Sequence, residues 1–166
     1  MTAAVPMACE RFDVAAPLIN VCRQTGEVSF NYGGTREQMR ARILALKDTL
    51  IAAAGSPDYP AEHTFCDGMY IRRLFIPKGT LLIGKIHRKD CINVVERGDV
   101  SLLTEFGTSR VQAGATAVSK AGTMKVGYAH EDTIFINVFR TDKTDLAELE
   151  AEIACTDFAD IEEKMQ

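Results

Sequence analysis

The stretch IPKGTLLIGKIHRKDCINVVERGDVSLLTEFG, residues 76–107, alternates short apolar runs with turn residues. Pro77-Lys78-Gly79-Thr80 and Arg97-Gly98-Asp99 have turn composition, and both precede a run rich in β-branched residues or leucine. Runs of this length bounded by such turns predict strands. The stretch therefore indicates an antiparallel β-structure.

The same pattern of short apolar runs separated by turn residues continues on both sides of this stretch. Eight strands are predicted, at 69–76, 81–86, 92–96, 100–105, 110–112, 115–119, 124–128 and 133–139. No long helical pattern separates them, which argues against a parallel nucleotide-binding sheet. Their close spacing favours a sandwich or barrel of the jelly-roll type.

Helices are predicted at the two flanks of the strands. Thr35 and Gln38 have the spacing of a capping box, and Met39, Ile43, Leu46 and Leu50 then form one apolar face up to Ala54. This face packs on its own chain or in an oligomer interface. A second helix follows Asp142, with Thr144 as its N-cap and a stripe of Leu146, Leu149 and Ile153 extended by Cys155 and Phe158.

An extended segment precedes the first helix. Residues 27–32 alternate so that Val28, Phe30 and Tyr32 share one face, and Gly33-Gly34 ends the run. The backbone of such a strand needs a sheet edge. If the edge belongs to a second subunit, we expect a homo-oligomer, most simply a dimer with reciprocal arms, and the alternative is addition to the segment's own barrel.

Composition narrows the class of protein. The 166 residues carry 19 Lys plus Arg and 23 Asp plus Glu, a formal net charge of −4. Nine acidic residues and two lysines lie between Asp142 and Gln166, so the acidic excess belongs to the C-terminus. This balance predicts no nucleic-acid partner and no attraction to an anionic membrane.

The cysteines and the N-terminus point to a cytoplasmic protein. The five cysteines form no CxxC pair, and no basic region followed by an apolar run opens the chain. We therefore expect free thiols and a location in the cytoplasm.

Two segments resemble the two conserved regions of the cupin superfamily: residues 76–107, quoted above, and VSKAGTMKVGYAHEDTIFINV, residues 118–138. The resemblance covers about half of the chain, roughly residues 65–140. With the following TDLAELE, it extends to small single-domain cupins encoded by bacteriophages. It implies a mostly β fold, a single cupin-like jelly roll with an N-terminal arm and helix (1–60), a barrel (61–141) and an acidic C-terminal helix (142–166).

The resemblance also implies where a metal would lie. The four ligand positions of metal cupins fall on Lys85, His87, Cys91 and Lys125, of which His87 alone keeps the family's ligand. Protonated lysines repel a divalent ion, so we expect no metal and no other cofactor. An improvised site from His87, Asp90, Cys91 and His130 is the alternative.

A metal-free barrel could still bind a small molecule. Lys85, His87 and Lys125 would offer cationic donors to an anion such as a carboxylate or a sugar nucleotide. Metal-free cupin epimerases use a His base and a Tyr acid, which His87 or His130 with Tyr128 could imitate. The candidate cavity residues are thus Lys85, His87, Cys91, Lys125, Tyr128 and His130.

Two functions follow from these patterns. The lost metal ligands and the long N-terminal segment favour a non-enzymatic, oligomeric, phage-type accessory or virion-associated structural protein whose interface includes Val28, Phe30 and Tyr32. The alternative is an enzyme or sensor that uses the barrel cavity. An open, polar cavity would favour the second function, and a filled barrel would favour the first.

Overall fold

The computed structural model of the protein describes residues 17–55 and 59–162, with side chains up to Ile161. The first half of the predicted arm, with Cys9, lies outside the described residues. The described helices are α1 (Arg36–Ala54), α2 (Leu146–Ile153) and α3 (Ala159–Glu162). None of them is long and apolar enough to cross a membrane.

The strands occupy most of the remaining chain. They are β1 (Ile19–Val21), β2 (Val28–Phe30), β3 (Ala61–Cys66), β4 (Met69–Ile76), β5 (Leu81–Ile83), β6 (Ile86–His87), β7 (Cys91–Arg97), β8 (Asp99–Thr104), β9 (Gly107–Gln112), β10 (Thr116–Ser119), β11 (Val126–Ala129), β12 (Thr133–Arg140) and β13 (Ala154–Cys155).

Two antiparallel sheets face each other as a barrel-like sandwich. The large sheet has the order β10-β7-β12-β4-β3, and the small sheet has the order β5-β11-β8-β9. Apolar side chains from both sheets, including Leu74, Val95, Val100 and Phe135, fill part of the space between them. The predicted fold class, a mostly β jelly roll with an N-terminal helix and C-terminal helices, is confirmed.

The sheets differ from the predicted strands in two places. Strand β3 was not predicted, because residues 61–66 mix small and polar side chains and mostly lie exposed at the sheet edge. The strand predicted over residues 81–86 divides, since only Leu81–Ile83 pairs with β11, whereas Ile86–His87 pairs with β13.

Gly98 makes the tight connection between the two sheets possible. Its φ is +96°, in the left-handed region. A Cβ atom there would lie 2.4 Å from Thr133 Oγ1 and 2.7 Å from the backbone of Asp132. Only glycine fits this turn, in agreement with the turn predicted at residues 97–99.

Helix α1 covers the outer face of the small sheet. Its predicted capping box is present, with Thr35 Oγ1 accepting from Gln38 N at 3.2 Å and Gln38 Oε1 accepting from Thr35 N at 2.8 Å. Met39 and Ile43 are fully buried against residues such as Leu103 and Val126. The helix thus packs on its own chain, and of the predicted face Leu46 and Leu50 are only partly buried.

The two C-terminal helices pack on different cores: α2 on the cluster with Tyr70 and Phe139, and α3 on the cluster beneath α1. Helix α2 begins one residue later than predicted, because Asp145 rather than Thr144 is its N-cap: Asp145 Oδ1 accepts from both Ala147 N and Glu148 N at 3.0 Å. Leu149 and Ile153 are buried as predicted, whereas Leu146 is 45% exposed.

The segment predicted as an assembly arm folds back on the chain itself. Strand β2 pairs with β1 in a two-stranded hairpin, with Ile19 opposite Phe30 and Val21 opposite Val28. Phe30 packs against the core beneath α1. The strand therefore satisfies its backbone within the chain but outside both barrel sheets, and the oligomer interface through Val28, Phe30 and Tyr32 stays a prediction.

Candidate functional site

The inward face of the large sheet carries a polar row across the barrel. Asn93 on β7 lies opposite Asn137 on β12, which lies opposite Arg72 on β4, which in turn lies opposite His63 on β3. Strand alternation sends these residues to the same face as Val95, Phe135 and Leu74 in the next row. The barrel interior is thus apolar in one layer and polar in the next.

Hydrogen bonds fix the central part of this row. Asn137 Nδ2 donates to Asn93 Oδ1 at 2.8 Å. Asn93 Nδ2 donates to Ser119 Oγ at 2.8 Å and to the Ala117 carbonyl at 3.2 Å. Buried amides need such partners, so the three strands are held at a defined spacing.

A cavity of about 280 Å³ opens beside this network, between β7 and β10 of the large sheet and the β8–β9 hairpin of the small sheet. Its wall is mainly apolar, with Val95, Leu102, Val111 and Phe135. Asn93, Ser119 and Lys125 are among its polar lining residues. The barrel is therefore not filled by its own side chains.

Lys125 lines this cavity just before β11, on the interior face of the small sheet. Its Nζ is buried, and within residues 17–55 and 59–161 no group forms a hydrogen bond with it. Burial lowers the pKa of Lys125 below its ordinary value, and the Cys91 sulfur opposes this effect. A buried amine without a partner is costly in an interior that is otherwise hydrogen-bonded.

Arg72 is a second interior cation. It is partly buried at an inward position of β4, and in the described part of the chain its guanidinium forms no ion pair. Arg72 and Lys125 both act by charge on the ring of His87. Two cations thus lie near one histidine inside the barrel.

His87 and Cys91 lie next to each other, and neither is among the residues that line the cavity. The Cys91 Sγ to His87 Nδ1 distance is 3.3 Å, and the His87 ring meets Phe139 edge-on at 5.3 Å between centroids. Burial, with the charges of Lys125 and Arg72, lowers the pKa of His87 to about 3. Burial raises the pKa of the Cys91 thiol. At neutral pH both groups are uncharged.

The structure brings three of the six candidate cavity residues together: His87, Cys91 and Lys125. Lys85 instead forms an ion pair with Glu150 on the surface, and its side chain is 52% exposed. Tyr128 and His130 lie on the opposite face of the small sheet, since Tyr128 follows the outward-facing Val126 by two residues. His130 Nε2 is bonded to Ser101 Oγ there at 2.7 Å.

The residues do not fit a cupin-type divalent metal. Of the four positions that the resemblance assigns, Lys85 points to solvent and Lys125 supplies a buried amine. The other two, His87 and Cys91, bond to each other. Asp90 is occupied by Lys120 Nζ at 2.7 Å and by the Ala121 amide at 2.9 Å. In the described part of the chain, no three His, Cys, Asp or Glu side chains cluster as ligands.

Sequence reasoning missed the polar row. Arg72 and Asn137 occupy the same strand parity as buried neighbours, Leu74 in one strand and Phe135 in the other. Polar residues at inward parity in adjacent strands were the available signal. It becomes visible only when the strands are aligned side by side, which requires the pairing register.

The chain is similar to several proteins of solved structure. KdgF from Halomonas sp. is 19% identical with a TM-score of 0.46, over 54% of this chain and 91% of that one. A cupin superfamily protein from Desulfitobacterium hafniense is 8% identical with a TM-score of 0.45, over 52% and 81%. A cupin-2 domain containing protein from Shewanella frigidimarina is 12% identical with a TM-score of 0.43, over 62% and 99%.

No protein-family model and no curated protein matches this chain. Two of these three solved structures are cupin proteins by name, and none of the three names corresponds to the bacteriophage association.

Proposed function

We propose that the barrel binds a small carboxylate-bearing molecule without a metal. The observation that carries this proposal is the buried Nζ of Lys125, a residue that lines the cavity, which has no hydrogen-bond partner among the described residues. A ligand carboxylate would supply the missing acceptor and charge. Charge-assisted bonds to a carboxylate are about twice as strong as neutral ones.

Arg72 adds a second positive charge to the interior, although it is not among the residues that line the cavity. A guanidinium offers a planar pair of donors that matches a carboxylate. With Lys125 it gives the interior two positive charges, whereas the nearby His87 and Cys91 are held neutral by burial. An anion bound there would lower the cost of keeping both cations away from water.

The size of the cavity limits the ligand. At about 280 Å³ it lies just below the usual range of sites for drug-sized ligands, roughly 300–1,000 Å³. The apolar wall of Val95, Leu102 and Phe135 suits a short carbon chain. A mono- or dicarboxylate of a few carbons is therefore the ligand that the cavity favours.

The test compares unfolding in urea with sodium acetate or sodium pyruvate against sodium chloride at equal ionic strength. A carboxylate that binds the native state raises the unfolding free energy, by about 2.7 kcal/mol at 100 times its Kd. Lys125→Met should remove this gain, and Lys78→Met, at an exposed lysine, should keep it. Equal unfolding curves for the parent in all three salts would contradict the proposal.

A structural role in an oligomer is the second candidate function. The outer face of the large sheet favours it, because Val118 and Ile92 lie opposite each other there and are 61% and 49% exposed. Val138 continues this row on β12. Apolar patches on a sheet face often mark protein contacts. The phage and virion association of this role rests on the sequence resemblance alone.

Light scattering at micromolar concentration tests this second function. An oligomer that Val118→Asp dissociates would place the contact on the sheet face, and one that Tyr32→Ala dissociates would place it on the β1–β2 hairpin. A parent chain that remains monomeric would contradict the oligomeric role in either form.

A further inference from the structure

The outer face of the large sheet is apolar, although a sheet of this kind usually turns a polar face to water. On β12 the outward positions are Ile134, Ile136 and Val138, which alternate with the buried positions of the strand. An antiparallel strand with one face in water normally carries polar side chains at its outward positions. A strand that is apolar on both faces is typical of a sheet that is covered on both sides.

The apolar face continues across the neighbouring strands. Ile71 and Phe75 lie outward on β4, and Ile92 and Val94 lie outward on β7. None of these side chains belongs to the three apolar cores in the described part of the chain. Helices α1 and α2 pack on those cores, so the described helices leave this face open.

Two features of opposite shape lie on this face. Val118 on β10 and Ile92 on β7 are cross-strand partners, and both side chains are exposed. We call this pair the knob. A depression of about 320 Å³, which we call the socket, lies towards the opposite edge of the sheet. Its lining includes Pro60, Glu62, Arg73, Phe75 and Ile134.

The knob and the socket lie at opposite corners of the sheet. Val118 pairs with Ile92, which pairs with Val138, and the socket residue Ile134 is four residues from Val138 along β12. With strands about 4.8 Å apart and about 3.3 Å per residue, Val118 and Ile134 are roughly 16 Å apart. The knob therefore does not reach the socket of its own chain.

We propose that the large sheet packs face to face on the large sheet of a second copy of this chain, with each knob in the other copy's socket. This inference rests on the second candidate function, the oligomeric role, and names its partner. A two-fold axis that lies in the interface, at right angles to the line from knob to socket, exchanges the two features. Both contacts then form together, as an isologous dimer requires.

The area of the face suits a second copy better than a short peptide. Five strands about 4.8 Å apart and up to eight residues long, at about 3.3 Å per residue, give a face of roughly 600 Å² before the relief of the side chains is counted. A specific interface buries about 600–1,000 Å² per partner. A short peptide would leave most of the face exposed.

The charges at the socket agree with an uncharged knob. Arg73 Nε donates to Glu96 Oε2 at 2.6 Å, and Arg73 Nη1 donates to Glu62 Oε2 at 3.0 Å. The guanidinium thus has its carboxylates within the chain and needs no acidic group from the partner. The side chains of Val118 and Ile92 bring no charge to this place.

Two matched valines test whether the dimer forms through this face. Val118 is 61% exposed on the knob, and Val21 is 60% exposed on the β1–β2 hairpin. In light scattering over a range of concentrations, Val118→Asp should weaken the dimer at least tenfold, and Val21→Asp should leave its Kd within twofold of the parent. A dimer that Val21→Asp weakens and Val118→Asp does not would overturn the inference.

Disulfide trapping tests the contact between knob and socket. Chains with Val118→Cys and chains with Ile134→Cys are expressed alone and together, with tags of different mass, and then oxidised. The two new thiols meet only in a mixed dimer, so co-expression should give a covalent heterodimer at least tenfold above either covalent homodimer. The single variants carry the same native cysteines and serve as controls.

The outcomes separate this inference from the oligomeric role itself. A dimeric parent whose co-expressed variants give no excess of covalent heterodimer would overturn the knob-and-socket contact and leave the oligomeric role. A parent that stays monomeric at micromolar concentration would overturn both.

Discussion

Two buried charges lie on opposite sides of the small sheet, and their surroundings differ. Glu105 directly follows β8 on the α1 side and is 1% exposed. Its Oε1 lies 3.4 Å from Arg40 Nε and 3.9 Å from Arg36 Nη2, and the Arg40 guanidinium in turn stacks 4.1 Å above the Phe158 ring. Lys125 lies on the barrel side, and in the described part of the chain its Nζ has no hydrogen-bond partner.

The difference teaches how to separate structural from functional burial. A buried charge with an opposite charge from a neighbouring helix holds the fold together. A buried charge that faces an open cavity with no partner destabilises the fold, which is typical of a binding site. Burial alone does not distinguish the two residues, whereas the partners do.

The largest effect is expected at Glu105. Glu105→Gln should lower the unfolding free energy by about 3–5 kcal/mol, because the buried contact between residue 105 and the Arg40 guanidinium then loses its negative charge. Urea unfolding measures this. The matched control is Glu62→Gln, whose carboxylate pairs with Arg73 at 3.0 Å but is 73% exposed, and it should cost less than about 1 kcal/mol. Equal losses of unfolding free energy in the two variants would contradict the structural role assigned to Glu105.

The next largest losses of unfolding free energy are expected from alanine substitutions of apolar residues on the two sides of the small sheet. Ile43→Ala should cost about 2–5 kcal/mol, because Ile43 is fully buried and leaves a void beneath α1. Leu46→Ala should cost less, since Leu46 is only partly buried. Leu102→Ala should also cost less, because Leu102 lines a cavity that is already open. Urea unfolding of the three variants measures these losses of unfolding free energy. A loss in Leu102→Ala equal to that in Ile43→Ala would show that the space beside Leu102 is closed and fully packed.

The pH dependence of the unfolding free energy tests the surroundings of His87 inside the barrel. The folded pKa of His87 is about 3, below its ordinary value of 6.5, so the unfolded chain binds the proton more readily. The neutral His87 ring makes its full contribution to the unfolding free energy above pH 6.5. This contribution is lost as the pH falls towards 3, by about 1.4 kcal/mol per pH unit. The difference in unfolding free energy between the parent and His87→Gln should follow this slope.

The charge of Lys125 is the second-largest cause of the lowered His87 pKa, after burial. Lys125→Met should therefore raise the His87 pKa and shorten the pH range over which stability is lost. NMR titration of the His87 ring in the parent and in Lys125→Met measures this directly. An unchanged His87 pKa would place the two groups too far apart for a shared site.

The smallest effect on stability is expected from Lys125→Met at neutral pH. Replacing an unpartnered buried amine with an apolar side chain should leave the unfolding free energy unchanged or raise it by about 1 kcal/mol. Urea unfolding without added carboxylate measures this. A loss as large as that of Glu105→Gln would show that Lys125 holds the fold together.

The sequence predicts local structure well where one segment contains the whole signal. The capping box at Thr35 and the turn at Gly98 are examples, because each depends on residues a few positions apart. The polar row from Asn93 to Arg72 could not be predicted, since it depends on the register of three strands distant in sequence. The same limit explains why Tyr128 was expected in the cavity although it faces away from it.

The cavity candidates show this limit at single residues. His87 and Cys91 share an inward parity and do lie together. Lys85 also lies at an odd-numbered position, as His87 does. In β5, however, the odd positions Leu81 and Ile83 face the outer core beneath α1, and the Lys85 side chain pairs with Glu150. Strand alternation is therefore reliable only as far as the strand extends.

Calorimetric titration with pyruvate tests the central claim most directly, that an interior anion completes Lys125. The parent should bind one pyruvate per chain, Lys78→Met should bind it equally, and Lys125→Met should give no heat beyond dilution. Equal heats of binding in the parent and in Lys125→Met would contradict the claim.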